Sequence, residues 1–450
     1  MKKIYISIAL LAIVLAIVIP SPDGLTKEGE IMFGILAMAV ILWITNAIPI
    51  AATGILIMAL QPLFGIMPAK DVFANFGNRA VFFILASFIL AASMEKYGLH
   101  KRFALKLLRI FGKNGKTFIF GIMLTGAILS FIMLSHAVAI LLLPILITIL
   151  LSLKAIPKES NFGVASMLAM AYGTSIGSWG TLLGGARNPL SIAFLGEMGY
   201  NLTFVGWMKY ALPVVFVALP VLFIIIIYMY PPEIKSIGHV IDILQKDVSR
   251  KMKLKEKEVL IVYAITIILW IFFSSSIGIA VIALLAASAL FLLNLVDWND
   301  IERRVQWGII MLYGGAITMG KSLATTGATS WLAGNIVPFF GDNKWLILFS
   351  VIFITIFLTN LMSNTAAVAT MLPIGFEMLV SAGINPVIAV MSIAMAGGVS
   401  FVLIISTPSI AIAYSSGYIS QKNLIKTGLI SSIVCLILIM IFAFSYWQFL

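Results

Sequence analysis

Three observations predict an all-α polytopic membrane protein built from two repeats. Of 450 residues, 62% are hydrophobic and only 10% charged, too few charges to cover a water-soluble surface of this length. Apolar runs long enough to cross ~30 Å of hydrocarbon recur from end to end. Two segments half a chain apart are copies: FIMLSHAVAILLLP, ending at Pro144, and NLMSNTAAVATMLP, ending at Pro373. Sliding the first onto the second, proline on proline, sets Ser130 on Thr359, Met133 on Met362 and Ala137 on Ala366. Barrel-type alternation is not seen. The net charge of +12 gathers in loops, as for a membrane protein with basic cytoplasmic loops. The single Cys435 excludes a disulfide framework.

Taken in order, Ile4 to Ile19 follows Lys2 and Lys3 and ends at Pro20-Ser21-Pro22 without a small-residue cleavage pattern, so it reads as a retained first span. Residues 1–30 are this span and an outer loop. Ile31 to Ile48 and Pro49 to Ile66 are the next spans, separated by Pro49. A span near Ala80 to Ala92 leads into a basic amphipathic stretch with Lys96, Lys101, Arg102, Lys106 and Arg109, a cytoplasmic interfacial helix. Thr117 to Leu153 is apolar with Lys113/Lys116 before it and Lys154/Lys158 after it, so both ends lie on one side and residues 117–153 form a re-entrant hairpin. The span at 161–195 is interrupted by glycines from Gly177 to Gly185 and reads as a broken helix. Gly206 to Tyr230 closes repeat 1 (31–230), and a basic cytoplasmic linker (231–258) leads to repeat 2 (259–450). That repeat holds spans at Val259 to Phe273, Ile277 to Val296 and Trp307 to Leu323, a second hairpin (344–380), a broken helix (387–416) and a last span at Leu424 to Tyr446. The count is about 11 crossings plus two re-entrant hairpins. An odd count with the N-terminus in the cytoplasm makes the two repeats inverted.

Small polar groups at membrane depth mark the candidate site. Ser363, Asn364 and Thr365 sit at the tip of the second hairpin, and Ile405 to Ser409 breaks the following helix. Such uncharged hydroxyls and amides, with free half-helix N–H groups, can hold a carboxylate, and carbonyls freed at the breaks can hold sodium. No His/Cys cluster has metal spacing, and no nucleophile–base arrangement suggests an enzyme. Gly184-Gly185-Ala186-Arg187 lacks the Walker pattern of a phosphate cradle. Glu95, His100 and Lys101 read as interfacial, His100 and His239 as solvated, Lys321 as snorkelling and Glu377 as structural.

With these residues in view the chain resembles the divalent anion:sodium symporter family over nearly its whole length. The resemblance rests on Trp43-Ile44-Thr45-Asn46-Ala47-Ile48-Pro49, on Met94 through Arg102, on Trp307-Gly308 through Gly314-Gly315, and on Ser363-Asn364-Thr365 followed by Thr407-Pro408. It implies a homodimer in the cytoplasmic membrane, each protomer with a scaffold and a moving transport domain working as an elevator. It implies carriage of dicarboxylates, citrate or sulfate with sodium, no other cofactor and no nucleic acid. By resemblance, Ser363, Asn364, Thr365 and Thr407 touch substrate; Pro408 beside Thr407 and, from the first half, Ser135, His136, Arg187 and Asn188 are further candidates. Thr359, Asn364 and Ser406 form a second sodium site, and Ser130 with Gly184 a first.

The chain departs from the family pattern at several places. Asn46 stands where an acid is usual, and the first hairpin tip carries Leu134, Ser135 and His136 in place of Ser-Asn-Thr. Arg187 stands where proline is usual, and Ser409 and Ile410 replace Pro-Asn. Leu134 offers no ligand to a first sodium. These changes suggest that Arg187 supplies fixed positive charge in place of that ion and that His136 donates to substrate, with coupling through fewer sodium ions, through protons, or by exchange. The competing expectation is a sodium/proton antiporter of the same superfamily. Antiporters usually carry acidic residues at the breaks, and this chain does not.

Overall fold

The computed structural model describes residues 1–111, 114–234, 237, 251–341 and 343–450. Its described residues are helical, with connecting loops and no strand. The first half comprises α1 (Lys2–Val18), α2 (Lys27–Thr45), α3 (Ile50–Leu63), α4 (Ala69–Phe76), α5 (Arg79–Lys96), α6 (Leu99–Phe111), α7 (Gly115–Leu129), α8 (Ser135–Ser152), α9 (Asn161–Gly177), α10 (Arg187–Glu197) and α11 (Phe204–Met229). The second comprises α12 (Leu254–Phe273), α13 (Ile279–Leu292), α14 (Trp298–Arg304), α15 (Trp307–Thr325), α16 (Ala328–Ile336), α17 (Lys344–Leu361), α18 (Asn364–Ser381), α19 (Pro386–Ala396), α20 (Pro408–Ser415) and α21 (Gln421–Phe444). Most of the expected linker, with His239, Lys246 and Arg250, lies outside the described residues.

Helix starts follow local chemistry. Thr26, Ser160, Thr203 and Ser420 each accept a backbone N–H in the first turn of the helix they precede, and Asn114 with Thr117 forms a reciprocal cap on α7. Asn46 ends α2 in the left-handed region (φ 50°), a conformation its short amide tolerates. Gly98 (φ 65°) lets the chain turn sharply from α5 into α6. The turn folds His100 against the Met94 carbonyl, at 3.0 Å. His100 is therefore half-buried, not solvated as expected, and burial pushes its pKa below the usual imidazole value.

Element order recurs along the chain. The starts of α2 through α8 (27, 50, 69, 79, 99, 115, 135) are matched in order, at a nearly constant offset, by those of α12 through α18 (254, 279, 298, 307, 328, 344, 364). Packing recurs with it: α3 lies on α15 and α5 on α13, α10 packs on α18 and α20 on α8. Each broken helix thus leans on the hairpin of the other half. At the α3–α15 crossing a Cβ on Gly54 would lie 2.6 Å from the Met311 carbonyl, and one on Gly315 2.6 Å from Gly54 Cα. Only glycine permits that approach. The corresponding α5–α13 positions, Ala86 and Ala283, are small and buried as well.

The deepest packing surrounds α9, where the Tyr172 and Phe401 rings pack at 4.4 Å between centroids, tilted by 35°, and Trp179 and Trp207 are fully buried. Outward faces are apolar too. Ile261, Ile265 and Ile268 on α12 and Ile433, Ile437 and Ile441 on α21 form exposed ridges at helical spacing. Water would not tolerate such ridges, and hydrocarbon does. Among the described residues six helical segments are long and apolar enough to cross a bilayer. The protein is an integral, polytopic α-helical membrane protein.

Candidate functional site

Both hairpins break where small or polar residues interrupt the apolar run. α7 ends at Leu129, and α8 restarts at Ser135 after a tight turn through Ser130 and Phe131. α17 ends at Leu361, and α18 restarts at Asn364 with the Ser363 hydroxyl accepting from Ala366 N at 3.3 Å. The two broken helices part at 178–186 and 397–407.

Each break is tied down by an amide. The Asn188 amide donates to the Ser178 and Thr181 carbonyls, both at 2.7 Å, and holds the first loop closed. The Asn360 amide donates to Val399 O at 3.1 Å and its Oδ1 accepts from Val402 N at 2.9 Å, holding the second. The first hairpin joins its loop through Ser135 N to Gly184 O, 3.1 Å, and through the Thr181 hydroxyl to Phe131 O, 2.7 Å.

These tips meet at a cavity of about 490 Å³. It is lined at the starts of six helices: α3 (Pro49, Ile50, Ala51), α8 (Ser135, His136), α10 (Arg187), α15 (Gln306, Gly308), α18 (Ser363, Asn364, Thr365) and α20 (Thr407, Pro408). A helix start carries N–H groups with no partner inside the helix and about half a positive charge, so the wall attracts anions without any mobile ion. Asn46, Leu134, Gly185, Ala186, Ile309 and Leu312 complete the lining, and no lining residue is acidic.

Arg187 is buried, at 3% relative exposure. Its Nε donates to the Ala394 carbonyl at 2.9 Å and its Nη2 to the Ser178 hydroxyl at 2.8 Å. Ser178 caps the C-terminus of α9, and Ala394 lies in the last turn of α19. The backbone at that end bonds Gly397 to Ile393, Gly398 to Met395 and Val399 to Ala396, a pattern that skips Ala394 and leaves its carbonyl to the guanidinium. Arg187 thus sits between two helix C-termini, where negative partial charge converges. Gly398 makes the space: a Cβ there would lie 2.5 Å from Arg187 Nη2 and 2.2 Å from Trp179 Nε1. No ion pair among the described residues includes Arg187.

The structure therefore gathers Ser135, His136, Arg187, Ser363, Asn364, Thr365, Thr407 and Pro408 in one cavity. Asn188 is not in the wall; it is buried behind it as a brace, with its Oδ1 unpartnered. For the expected second sodium site, the Thr359 hydroxyl donates to Asn364 Oδ1 at 3.0 Å and Gly397 O at 2.7 Å, an all-oxygen group of the kind a hard cation takes. Ser406 instead donates to Ser400 and Leu403 carbonyls within its own loop. At the expected first site a Cβ on Gly184 would lie 2.4 Å from the Ser130 carbonyl, and the buried Ser130 hydroxyl has no partner. Sequence reasoning missed Gln306, whose amide meets His136 Nε2 across the cavity, and Tyr313, whose hydroxyl donates to the Ala186 carbonyl. The available signal was the polar residue directly before Trp307-Gly308. Lys321 lies near Asn75 (3.2 Å) and Glu197 (3.8 Å), and Glu377 accepts from Ser330 at 2.9 Å, all away from the cavity.

Comparison with known proteins agrees with this layout. The "Sodium-dependent dicarboxylate transporter SdcS" of Staphylococcus saprophyticus subsp. saprophyticus is 30% identical over 466 residues, covering 96% of this chain and 89% of that protein. The protein of the same name from Staphylococcus aureus strain USA300 is 28% identical over 93% of this chain and 86% of its own. The crystal structure of the Alcanivorax borkumensis YdaH transporter superposes with a TM-score of 0.60 over 100% of this chain and 98% of that one; at 12% identity it speaks for the fold alone. The family model described as "Sodium:sulfate symporter transmembrane region" matches residues 1–450. By that end-to-end match the chain belongs to the sodium:sulfate symporter family, the divalent anion:sodium symporters, and is a transporter and not an enzyme.

Proposed function

We propose that this protein is a secondary active transporter of small divalent organic anions, dicarboxylates foremost and sulfate as a further candidate, in the cytoplasmic membrane. The observation that carries the reading is the cavity wall: six helix starts and one buried arginine, with no carboxylate. The names of the SdcS relatives point to dicarboxylates and sodium. The same wall stands against a sodium/proton antiporter, which needs a desolvated acid to hold its cation.

In this reading about 11 crossings and two re-entrant hairpins form inverted repeats (31–230 and 259–450), joined by a cytoplasmic linker, with the N-terminus inside and two copies per assembly. Hairpins and broken helices move as one elevator against a scaffold containing α3, α5, α13 and α15. Ser135, Ser363, Asn364, Thr365 and Thr407 bind the carboxylates beside Arg187, and His136 lends one ring nitrogen while Gln306 holds the other. Sodium binds at Thr359, Asn364 and the 397–406 loop. At the first site Arg187 stands in for an ion that Leu134 cannot ligate, so coupling uses fewer sodium ions, protons, or exchange.

The test is a thermal-shift screen of dicarboxylates, citrate and sulfate, each in sodium and in potassium, followed by uptake into proteoliposomes. A selective anion raises the melting temperature by mass action, and sodium enlarges the shift. Stabilisation by sodium with none from any anion would reject the reading. Arg187→Ala tests the fixed charge: the expected result is weaker anion binding at low sodium and a steeper sodium dependence, with Arg187→Lys in between. An unchanged sodium curve in a folded Arg187→Ala protein would remove that role.

A further inference from the structure

A second crevice of about 550 Å³ lies at the starts of α5 and α13. Its walls include Asn78 and Arg79 from the first and Ser275 and Gly278 from the second, with the end of α10 around Glu197 closing it. Its lining stands at positions equivalent to those of the scaffold wall of the anion cavity. The alignment that lays the first hairpin copy on the second also lays Asn46 and Pro49, which line that cavity beside α3, on Ser275 and Gly278. It brings Asn78, the N-cap residue of α5, to within one place of Gln306, the N-cap residue of α15. Both N-caps carry a side-chain amide. α3 packs on α15 as α5 packs on α13, so each crevice is the mouth of an equivalent helix pair.

The two mouths open at opposite ends of the molecule. α14 leads directly into the start of α15, and it is fastened to the end of α5 by Arg304–Glu95 (3.2 Å) and by Lys96 with Asp297 (3.5 Å) and Asp300. The start of α5 lies at the far end of an 18-residue helix, roughly 27 Å away at 1.5 Å per residue. Both hairpin tips line the first mouth, and of the two it is His136 of α8 that meets Gln306 there. At the second mouth the equivalent amide is engaged by something else: Asn78 Nδ2 donates to Glu197 Oε1 at 2.9 Å, and Glu197 is the last residue of the broken helix α10. Arg79 beside it is exposed and takes part in none of the ion pairs among the described residues.

We infer that the crevice at Asn78, Arg79, Ser275 and Gly278 is a second seat for the hairpin unit and its anionic cargo, on the opposite side of the membrane. When the unit shifts, α10 moves with it, Glu197 releases Asn78, and Thr365 takes the freed amide as His136 takes Gln306 now. Thr365 is the residue that the same alignment sets on His136. Arg79 then faces the anion and supplies the charge that draws it out of, or into, the seat on that side. The inference rests on the alternating-access reading above and adds the residues of the opposite state.

The test uses the full chain in membrane vesicles with Cys435→Ser, which removes the sole native thiol. Two double variants are made, His136→Cys with Gln306→Cys and Thr365→Cys with Asn78→Cys, and treated with a short bis(methanethiosulfonate), which joins two thiols through disulfide bonds that a reductant cleaves. Both pairs are expected to link. The linked fractions move in opposite directions when a dicarboxylate and sodium are added, and either link lowers uptake about tenfold below that of the same variant before linking until a reductant reverses it, because a lid held in one state sets the turnover. A first pair that links while the second never does, with Asn78→Cys and Thr365→Cys each reactive to a monofunctional reagent, overturns the seat. A second link that leaves uptake untouched does so too. If the second variant fails to accumulate, labelling of a single Arg79→Cys decides: protection that tracks the substrate-driven loss of the first link supports the seat, and constant labelling rejects it. Wild-type vesicles run in parallel keep the two readings apart. No anion uptake by wild type refutes the cargo, whereas wild-type uptake without the second link refutes the seat alone.

Discussion

Arg187 shows how one residue can be legible in kind but not in place. An arginine amid glycines at membrane depth announces a function, because a buried guanidinium is costly unless its donors are met. The sequence does not say that Ala394, in the other half of the chain, offers the carbonyl, since that depends on how α19 ends. Gly398 is the residue that permits it. Gly398→Ala is expected to cost about 1–3 kcal/mol by overpacking, seen as a lower melting temperature, while Gly334→Ala, with nothing within 4 Å of the added carbon, is expected to change little. Gln306 and Tyr313 escaped sequence reasoning for a similar reason. Gln306 stands one place before the Trp307–Gly315 stretch and Tyr313 inside it, and each acquires its role only when α15 meets the tip of α8 and the start of α10. Tyr313→Phe removes the hydroxyl held by Ala186 and is expected to cost roughly 0.5–1.5 kcal/mol, read by thermal denaturation.

Elements were more legible than contacts. The glycines at 177–185 and the polar triplet at 363–365 announced breaks that the helices obey, because neither stretch can keep an apolar helix intact. Short helices such as α4 and α14 were not anticipated, being too brief and mixed to show a period. α14 nonetheless locks the end of α5. Burial alone would raise the Asp300 carboxyl, but the hydrogen bond and charge of Lys96 together with the hydrogen bonds from Asp297 outweigh it and hold the group below the usual carboxylate range. A depressed carboxyl stabilises above its unfolded pKa, and that stabilisation fades as pH falls through the folded value. Asp300→Asn is therefore expected to lower stability by up to about 1 kcal/mol at neutral pH and by nothing in strong acid, as measured by melting at a series of pH values.

At the scale of the whole molecule the recurrence of α2–α8 as α12–α18 was foreshadowed by one pair of short copies around the hairpin tips. The rest of the duplication left no mark that could be read, because lipid-facing positions accept any apolar side chain and so lose their resemblance quickly. Fold survives where sequence does not, since packing at Gly54/Gly315 and at Ala86/Ala283 needs only small residues.

The convergence of six helix starts on one chamber has a consequence for acidity. Peptide dipoles do not titrate, so the attraction they offer is the same in mild acid as in mild base. Acid can then weaken uptake chiefly by neutralising the cargo itself. Two dicarboxylates with different second ionisation constants are expected to give uptake curves displaced by that difference. Coincident curves would assign the titration to the carrier, with His136 the first group to replace.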